Sequence, residues 1–106
     1  MSKFRHNSFR GEVTRIIDGD TVDIDVDLGF YVHTRVRCRL ADVDTPERGH
    51  RDWDKATFTF ATLLKENQDN EGYIYFTCNK TGKYGRGIID IPVVNSSLAE
   101  VWPYER

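Results

Sequence analysis

Two stretches of this chain alternate so strictly that they leave little choice of fold. Over residues 22–28, Val22, Ile24, Val26 and Leu28 take one parity and Asp23, Asp25 and Asp27 the other. Over residues 32–40, Val32, Thr34, Val36, Cys38 and Leu40 alternate with His33, Arg35, Arg37 and Arg39. Successive strand side chains point to opposite faces, so each stretch reads as an antiparallel strand with one face in a core and one in water. The outer faces carry opposite charge. With the intervening loop centred near Phe30, Asp25 falls opposite Arg35 and Asp23 opposite Arg37, so the stripes form a cross-strand ladder with Arg39 outside it.

The rest of the chain supplies partners for that pair. Residues 8–17 mix β-branched and polar side chains and meet Asp18-Gly19, a dipeptide suited to a tight hairpin turn. Past Asp44-Thr45-Pro46-Glu47, the spacing of Trp53, Ala56, Phe60, Leu63, Leu64 and Asn67 predicts an amphipathic helix, with Asp52 as N-cap and Asn70-Glu71-Gly72 closing it. Ile74, Phe76 and Cys78 alternate inward in a fourth strand. Residues 79–82 read as a turn, residues 84–94 as a fifth strand, and residues 95–100 as a short last helix. Three strands, a helix and two more strands is the order of a mainly β (α+β) fold, the five-stranded OB-fold Greek-key barrel with one amphipathic helix and a short C-terminal helix.

At 106 residues and 12.3 kDa there is room for one core. The expected division is a flexible tail at residues 1–8 and a single domain at 9–106. Apolar residues make up 39% and charged residues 30%, a balance that excludes disorder for most of the length. The longest apolar runs are far short of the roughly 20 residues that cross a bilayer. No apolar segment follows Lys3, Arg5 and His6, so no signal peptide is read and the expected compartment is the cytoplasm, with no membrane partner. With 15 basic and 17 acidic residues the formal net charge is −2, so a polyanion site must be a local patch. Cys38 and Cys78 lack CxxC spacing and read as reduced. His6, His33 and His50 have no ligand spacing among themselves and read as surface residues.

Two acidic motifs, Asp18-Gly19-Asp20-Thr21 and Asp42-Val43-Asp44-Thr45-Pro46-Glu47, fall in separate loops that a small barrel brings together. Carboxylates on irregular loops suit a hard cation, which takes oxygen ligands and tolerates uneven geometry; each motif alone is equally well a hydrogen-bonded turn. Arg39 leads into the second motif, and Lys83-Tyr84-Gly85-Arg86-Gly87 sets another arginine between glycines. A guanidinium fork matches phosphate oxygens and keeps its charge. Carboxylates for a cation, a further carboxylate as base and two arginines make a phosphodiester-cleaving set.

These three motifs, in this order and with a helix between the second and third, resemble staphylococcal nuclease and its thermonuclease relatives over about residues 12–98. The resemblance implies an OB barrel that hydrolyses DNA and possibly RNA with Ca²⁺ and leaves 3′-phosphate ends. It implies metal carboxylates at Asp20 and Asp44 with the Thr45 carbonyl, a catalytic trio of Arg39, Glu47 and Arg86, and Lys83 and Tyr84 beside a terminal phosphate of the substrate. Longer members of that family continue into a further helix with base-stacking tyrosines. This chain stops at Arg106, so it reads as a short member, with Trp102 and Tyr104 more in keeping with packing against the barrel than with stacking. Gly82 stands where longer relatives often carry an aspartate, and the acidic balance departs from the best-known nuclease. Single-stranded DNA or RNA is the expected partner and a monomer the expected state. The rival readings are a catalytically silent OB-fold module that binds nucleic acid or protein, and a metal-binding structural domain.

Overall fold

The computed structural model describes residues 8–81, with backbone alone at 79–81, and residues 86–102. The elements in chain order are β1 (Ser8–Asp18), β2 (Thr21–Asp27), β3 (His33–Leu40), α1 (Trp53–Glu66), β4 (Ile74–Thr81), β5 (Gly87–Asp90) and α2 (Val94–Val101). The strands close into a barrel in the order β1-β2-β3-β5-β4, with β4 returning to β1. The expected OB-type barrel with one amphipathic helix and a short C-terminal helix is therefore the fold observed. No helix among the described residues is long and apolar enough to cross a membrane. The tail expected at residues 1–8 lies outside the described residues except for Ser8, which already belongs to β1.

β1 serves two neighbours: Arg10 to Asp18 pair with β2, and Ser8 to Gly11 pair with β4. Such a strand must bend, and irregularities between Val13 and Arg15 and between Ile16 and Asp18 supply local twist. Gly11 sits in the overlap. A Cβ there would meet Ile24 Cγ2 at 2.6 Å and the Asp25 carbonyl at 2.7 Å, so glycine allows the two strands to press together at the corner.

β2 and β3 pair in the anticipated register, Asp23 opposite Arg37 and Asp25 opposite Arg35. Arg37 donates to both oxygens of Asp23, at 2.8 and 3.2 Å. The remaining rungs run elsewhere: Asp25 pairs with His33 at 3.4 Å, and Asp27 takes Arg10 of β1 at 3.0 Å. Exposed pairs of this kind contribute roughly 0–1 kcal/mol each, so the ladder tunes register more than it stabilises the fold.

The stabilising burial is inside. Val22, Ile24, Val26, Cys38, Leu40, Ile74, Phe76 and Ile89 line the barrel, while Phe60 and Leu64 of α1 and Val94 and Leu98 of α2 cap it. Each such side chain contributes about 1.5–3 kcal/mol through apolar area removed from water. Three positions depart from the alternation. Leu28, Val32 and Thr34 continue the inward parity yet are exposed, because the hairpin projects beyond the barrel wall.

Three local expectations need correction. The turn read at residues 79–82 is strand through Thr81, since β4 pairs with β5 as far as Gly87. Among the described residues the fifth strand is Gly87–Asp90, residues 84 and 85 of the expected strand lying outside them, and Pro92, which lacks the N–H a ladder needs, falls beyond it. Asp52 occupies the N-cap position of α1 without a side-chain capping bond. Instead the Asp52 N–H donates to His50 Nδ1 at 3.0 Å, giving His50 a local structural role.

Asn95 locks the closure. Its side-chain amide donates to the carbonyls of Ala41 (3.0 Å) and Ile89 (3.1 Å), and its carbonyl oxygen accepts the Ile91 N–H at 2.9 Å. Asn95→Leu keeps the volume and strands the Ala41 carbonyl and the Ile91 N–H, the Ile89 carbonyl keeping the Ala41 N–H, so it is expected to cost about 3 kcal/mol. Urea unfolding checks this, and a loss below about 1 kcal/mol would show that the closure does not depend on the amide.

Candidate functional site

The β1–β2 hairpin has a two-residue loop, Gly19-Asp20, flanked by the Asp18–Thr21 pair. Gly19 is required by space and has no positive φ. A Cβ on it would meet Thr45 Oγ1 at 2.7 Å and Ala56 Cβ at 2.8 Å, so the hairpin tip lies flat against α1 and the loop that follows β3. That loop leaves the sheet at Asp42, whose φ is 61°, buries Val43, and returns past Asp44 to a buried Thr45. Local structure thus brings the two acidic motifs to one end of the barrel.

Asp20 is 7% exposed, and its contacts define the meeting point. Its Oδ2 accepts the Thr45 N–H at 3.3 Å and faces Arg39 Nη2 at 3.4 Å, while Oδ1 accepts the Thr21 hydroxyl at 3.0 Å. The same Arg39 Nη2 stands 3.6 Å from Asp44 Oδ1. Asp20 and Asp44 therefore gather around one guanidinium nitrogen. Register explains why Arg39 behaves unlike Arg37: Thr21, not an aspartate, lies across from it on β2.

Glu47 is exposed and lines a cleft of about 590 Å³ together with Asp44, Thr45, Arg48, His50 and Trp102. Trp102, half-buried, packs against the core on one side and forms part of this cleft on the other. The packing expected of it is present, and the cleft wall is an addition. Tyr104, Lys83 and Tyr84 lie outside the described residues. Arg86, half-buried just before β5, faces Asp18 closely enough to act on its ionisation. Cys38 belongs to the core, and burial pushes its thiol up to about 12, in keeping with its opposite parity to Arg39.

Asp18 received no role from the sequence motif, although it stands two residues before Asp20. Burial, and next the charge of Asp20, push its carboxyl above the ordinary aspartate range, against the opposing pull of the Trp53 indole, Arg48 and Arg86. Its Oδ1 is buried without completing a hydrogen bond, as are Trp53 Nε1, Thr45 Oγ1 and Thr57 Oγ1. Gly19, beside Asp18 in the chain, touches Thr45 and Ala56, and the helix residues 53, 56 and 57 flank that contact. Arg48 in turn lies over the Trp53 ring at 4.8 Å. The Asp-Gly-Asp spacing signals Asp18; Trp53 and Arg48 carried no signal, because the indole reads as helix core and the arginine as one more loop charge.

Oxygen donors dominate this end of the barrel, and its cations face the carboxylates from the rim. The set suits a hard divalent cation, since unpartnered buried carboxylate and hydroxyl oxygens are groups that such an ion, or water bound to it, would satisfy. No group of three or more His, Cys, Asp and Glu side chains is arranged as a metal cluster among the described residues. A shell here would draw on main-chain oxygen and water besides Asp20 and Asp44.

No family model matches the chain. It is 36% identical over 87 residues to a micrococcal nuclease of Shigella flexneri, an alignment covering 80% of this chain and 44% of that protein. It is also 35% identical over 97 residues to Protein ParB of Escherichia coli, covering 92% of this chain and 49% of that protein. The chain spans about half the length of the curated relatives it matches.

The raised carboxyl of Asp18 has a thermodynamic consequence. A group whose folded pKa lies above its unfolded value favours the fold fully below the unfolded pKa, and that contribution is lost as pH rises through the folded one. Asp18→Asn should therefore raise the melting temperature at pH 7, with the gain shrinking as pH falls through the range where Asp18 protonates. Thermal melts across pH test this; a gain that does not change with pH would mean the effect is not ionisation.

Proposed function

We propose that this chain is a Ca²⁺-dependent nuclease of the kind named in its Shigella flexneri relative, hydrolysing phosphodiester bonds of DNA, and of RNA, to leave 3′-phosphate ends. The observation that carries the reading is the convergence of Asp20 and Asp44 on one nitrogen of Arg39, with Thr45 bonded to Asp20 and Glu47 in the cleft that Asp44 and Thr45 also line. A binding module has no physical need of that many carboxylates around its phosphate-binding arginine.

Asp20, Asp44 and the Thr45 carbonyl would hold the cation, which would supply charge neutralisation and polarisation of a phosphate oxygen. Glu47 orients the attacking water and accepts its proton. Arg39 and Arg86 grip the remaining phosphate oxygens and oppose the charge that develops in the transition state. Lys83 and Tyr84 attend a terminal phosphate. Arg39 and a cation would draw on the same two carboxylates, those of Asp20 and Asp44. Substrates are single strands or frayed ends, because a stiff duplex hinders in-line approach to phosphorus in so compact a site. The working unit is a monomer.

Purified protein incubated with single- and double-stranded DNA, in Ca²⁺ or in chelator, is the direct test, and equal cleavage in chelator would refute the metal requirement. Glu47→Gln keeps size but cannot accept a proton, so it is expected to lower turnover by roughly 10²-fold while nucleotide affinity holds. Arg39→Lys loses the planar fork and should lower both. A folded Glu47→Gln protein with undiminished turnover would overturn the assignment. Binding without cleavage in any condition would favour the silent OB-fold module.

A further inference from the structure

The β2–β3 hairpin ends in two aromatic side chains held almost entirely in solvent: Phe30 is 97% and Tyr31 100% exposed. Their backbone is unfavourable. Phe30 has φ 51° and Tyr31 φ 62°, and the Val32 N–H closes the turn on the Gly29 carbonyl at 2.9 Å. Two successive left-handed central residues have the signs of a type I′ turn, where Asn-Gly is the favoured pair and bulky aromatics are strained. A chain that keeps Phe-Tyr here keeps strain without any gain in burial. Strain of this sort gathers where a ligand is held.

The tip is also concave. Phe30 and Tyr31 join Tyr73, Arg10, Asp27 and His33 in lining a cleft of about 460 Å³. Arg10 lies over the Tyr73 ring at 4.5 Å and is bonded to Asp27 at 3.0 Å, so the wall offers aromatic faces, an acceptor and a cation together. Stacking faces beside hydrogen-bonding groups suit a planar heterocycle. A lipid tail would leave the ion pair in the cleft wall without solvent. The tip and the Asp20–Glu47 site lie at opposite ends of β2, roughly 20 Å apart at about 3.3 Å per residue. Between them the outer face of β3 carries Arg35, Arg37 and Arg39 in one row with His33, spaced two residues apart, the Arg37 guanidinium being bonded also to Asp23.

We propose that the Phe30–Tyr31–Tyr73 cleft is a nucleobase subsite that stacks a base of a single strand running along β3 from the Asp20–Glu47 site. The subsite extends the nuclease reading above and adds a length requirement: a dinucleotide at the Arg39 end cannot reach the hairpin, whereas an oligonucleotide of about a dozen residues spans both, within the range of roughly 4–16 nucleotides that such barrels cover.

The test is fluorescence anisotropy with labelled oligothymidylate of two and of twelve nucleotides, in Ca²⁺ on the Glu47→Gln background. The hairpin variant is F30N/Y31G, which installs the pair preferred by the turn. The expected result has opposite signs: melting temperature rises as strain is relieved, while affinity for the 12-mer falls tenfold or more, in line with the loss of base stacking. Dinucleotide affinity should not move, and Y31F, which keeps a ring, should retain binding of the 12-mer. Wild-type-like 12-mer affinity in F30N/Y31G overturns the subsite and leaves the nuclease reading standing. Failure of both oligonucleotides to bind the parent overturns both. Binding of the 12-mer but not the dinucleotide, lost in F30N/Y31G, supports the subsite while counting against the Arg39 end. Two further outcomes overturn it, each with unchanged 12-mer affinity in the variant: retention on phosphatidylserine–phosphatidylcholine vesicles, or a concentration-dependent dimer, abolished by F30N/Y31G.

Discussion

The parallel pairing of β3 with β5 is the joint on which the rest of the molecule depends. It is short, running over Cys38, Arg39 and Leu40 against Gly87, Ile88 and Ile89, yet without it the sheet has two open edges. Its reinforcement comes from outside the ladder. The Ala41 N–H donates to the Ile89 carbonyl at 2.8 Å, and the Asn95 amide bonds the carbonyls of both residues. One buried side chain on α2 thus ties the end of β3 to the end of β5 at the place where the chain turns into the Asp42–Glu47 loop. Arg39 is the middle residue of that pairing, so barrel closure and the position of the arginine that Asp20 and Asp44 face are a single structural event.

Electrostatics divides the arginines of β3 by what stands opposite them. Arg37 meets Asp23 across the sheet and is held at two points, and that hydrogen-bonded pair keeps the Asp23 carboxyl below its usual range. Arg39 meets Thr21, and its carboxylates come from the hairpin turn and the following loop at longer range, 3.4 and 3.6 Å. The same residue type on the same strand face is a surface rung in one register position and a pivot between two loops in the next. A net charge of −2 does not forbid a polyanion site, because the acidic residues of β2 neutralise their own neighbours and leave the local balance to be set by loops.

Period-two alternation made β2, β3 and their register legible from residues alone, since a one-residue slip would turn every aspartate inward. The gathering of Asp20, Asp44 and Arg39 was legible through motif order. What the sequence concealed has physical causes. The boundaries of β4 and β5 depend on which backbone groups find partners, and residues 79–81 carry turn chemistry while the ladder with β5 holds them extended. Gly19 looked like a turn glycine but answers to crowding against Thr45 and Ala56, a tertiary contact between segments far apart in sequence. Asp18 looked like a turn carboxylate; its burial exists only once α1 has brought Trp53 beside the hairpin.

The hairpin tip shows the reverse case, in which local rules are legible and disobeyed. Turn chemistry calls for Asn-Gly between β2 and β3, and the inward parity of Leu28 and Val32 calls for burial; the chain has Phe-Tyr and half-exposed aliphatics instead. Agreement across levels is the mark of a sequence selected to fold, and a departure uncompensated within the domain marks selection for something else. At Gly19 and Gly11 every departure from a larger residue is compensated by a close contact. At Phe30 and Tyr31 there is no such contact, since both rings are almost wholly in solvent. Folding of the described residues therefore does not account for these two aromatics.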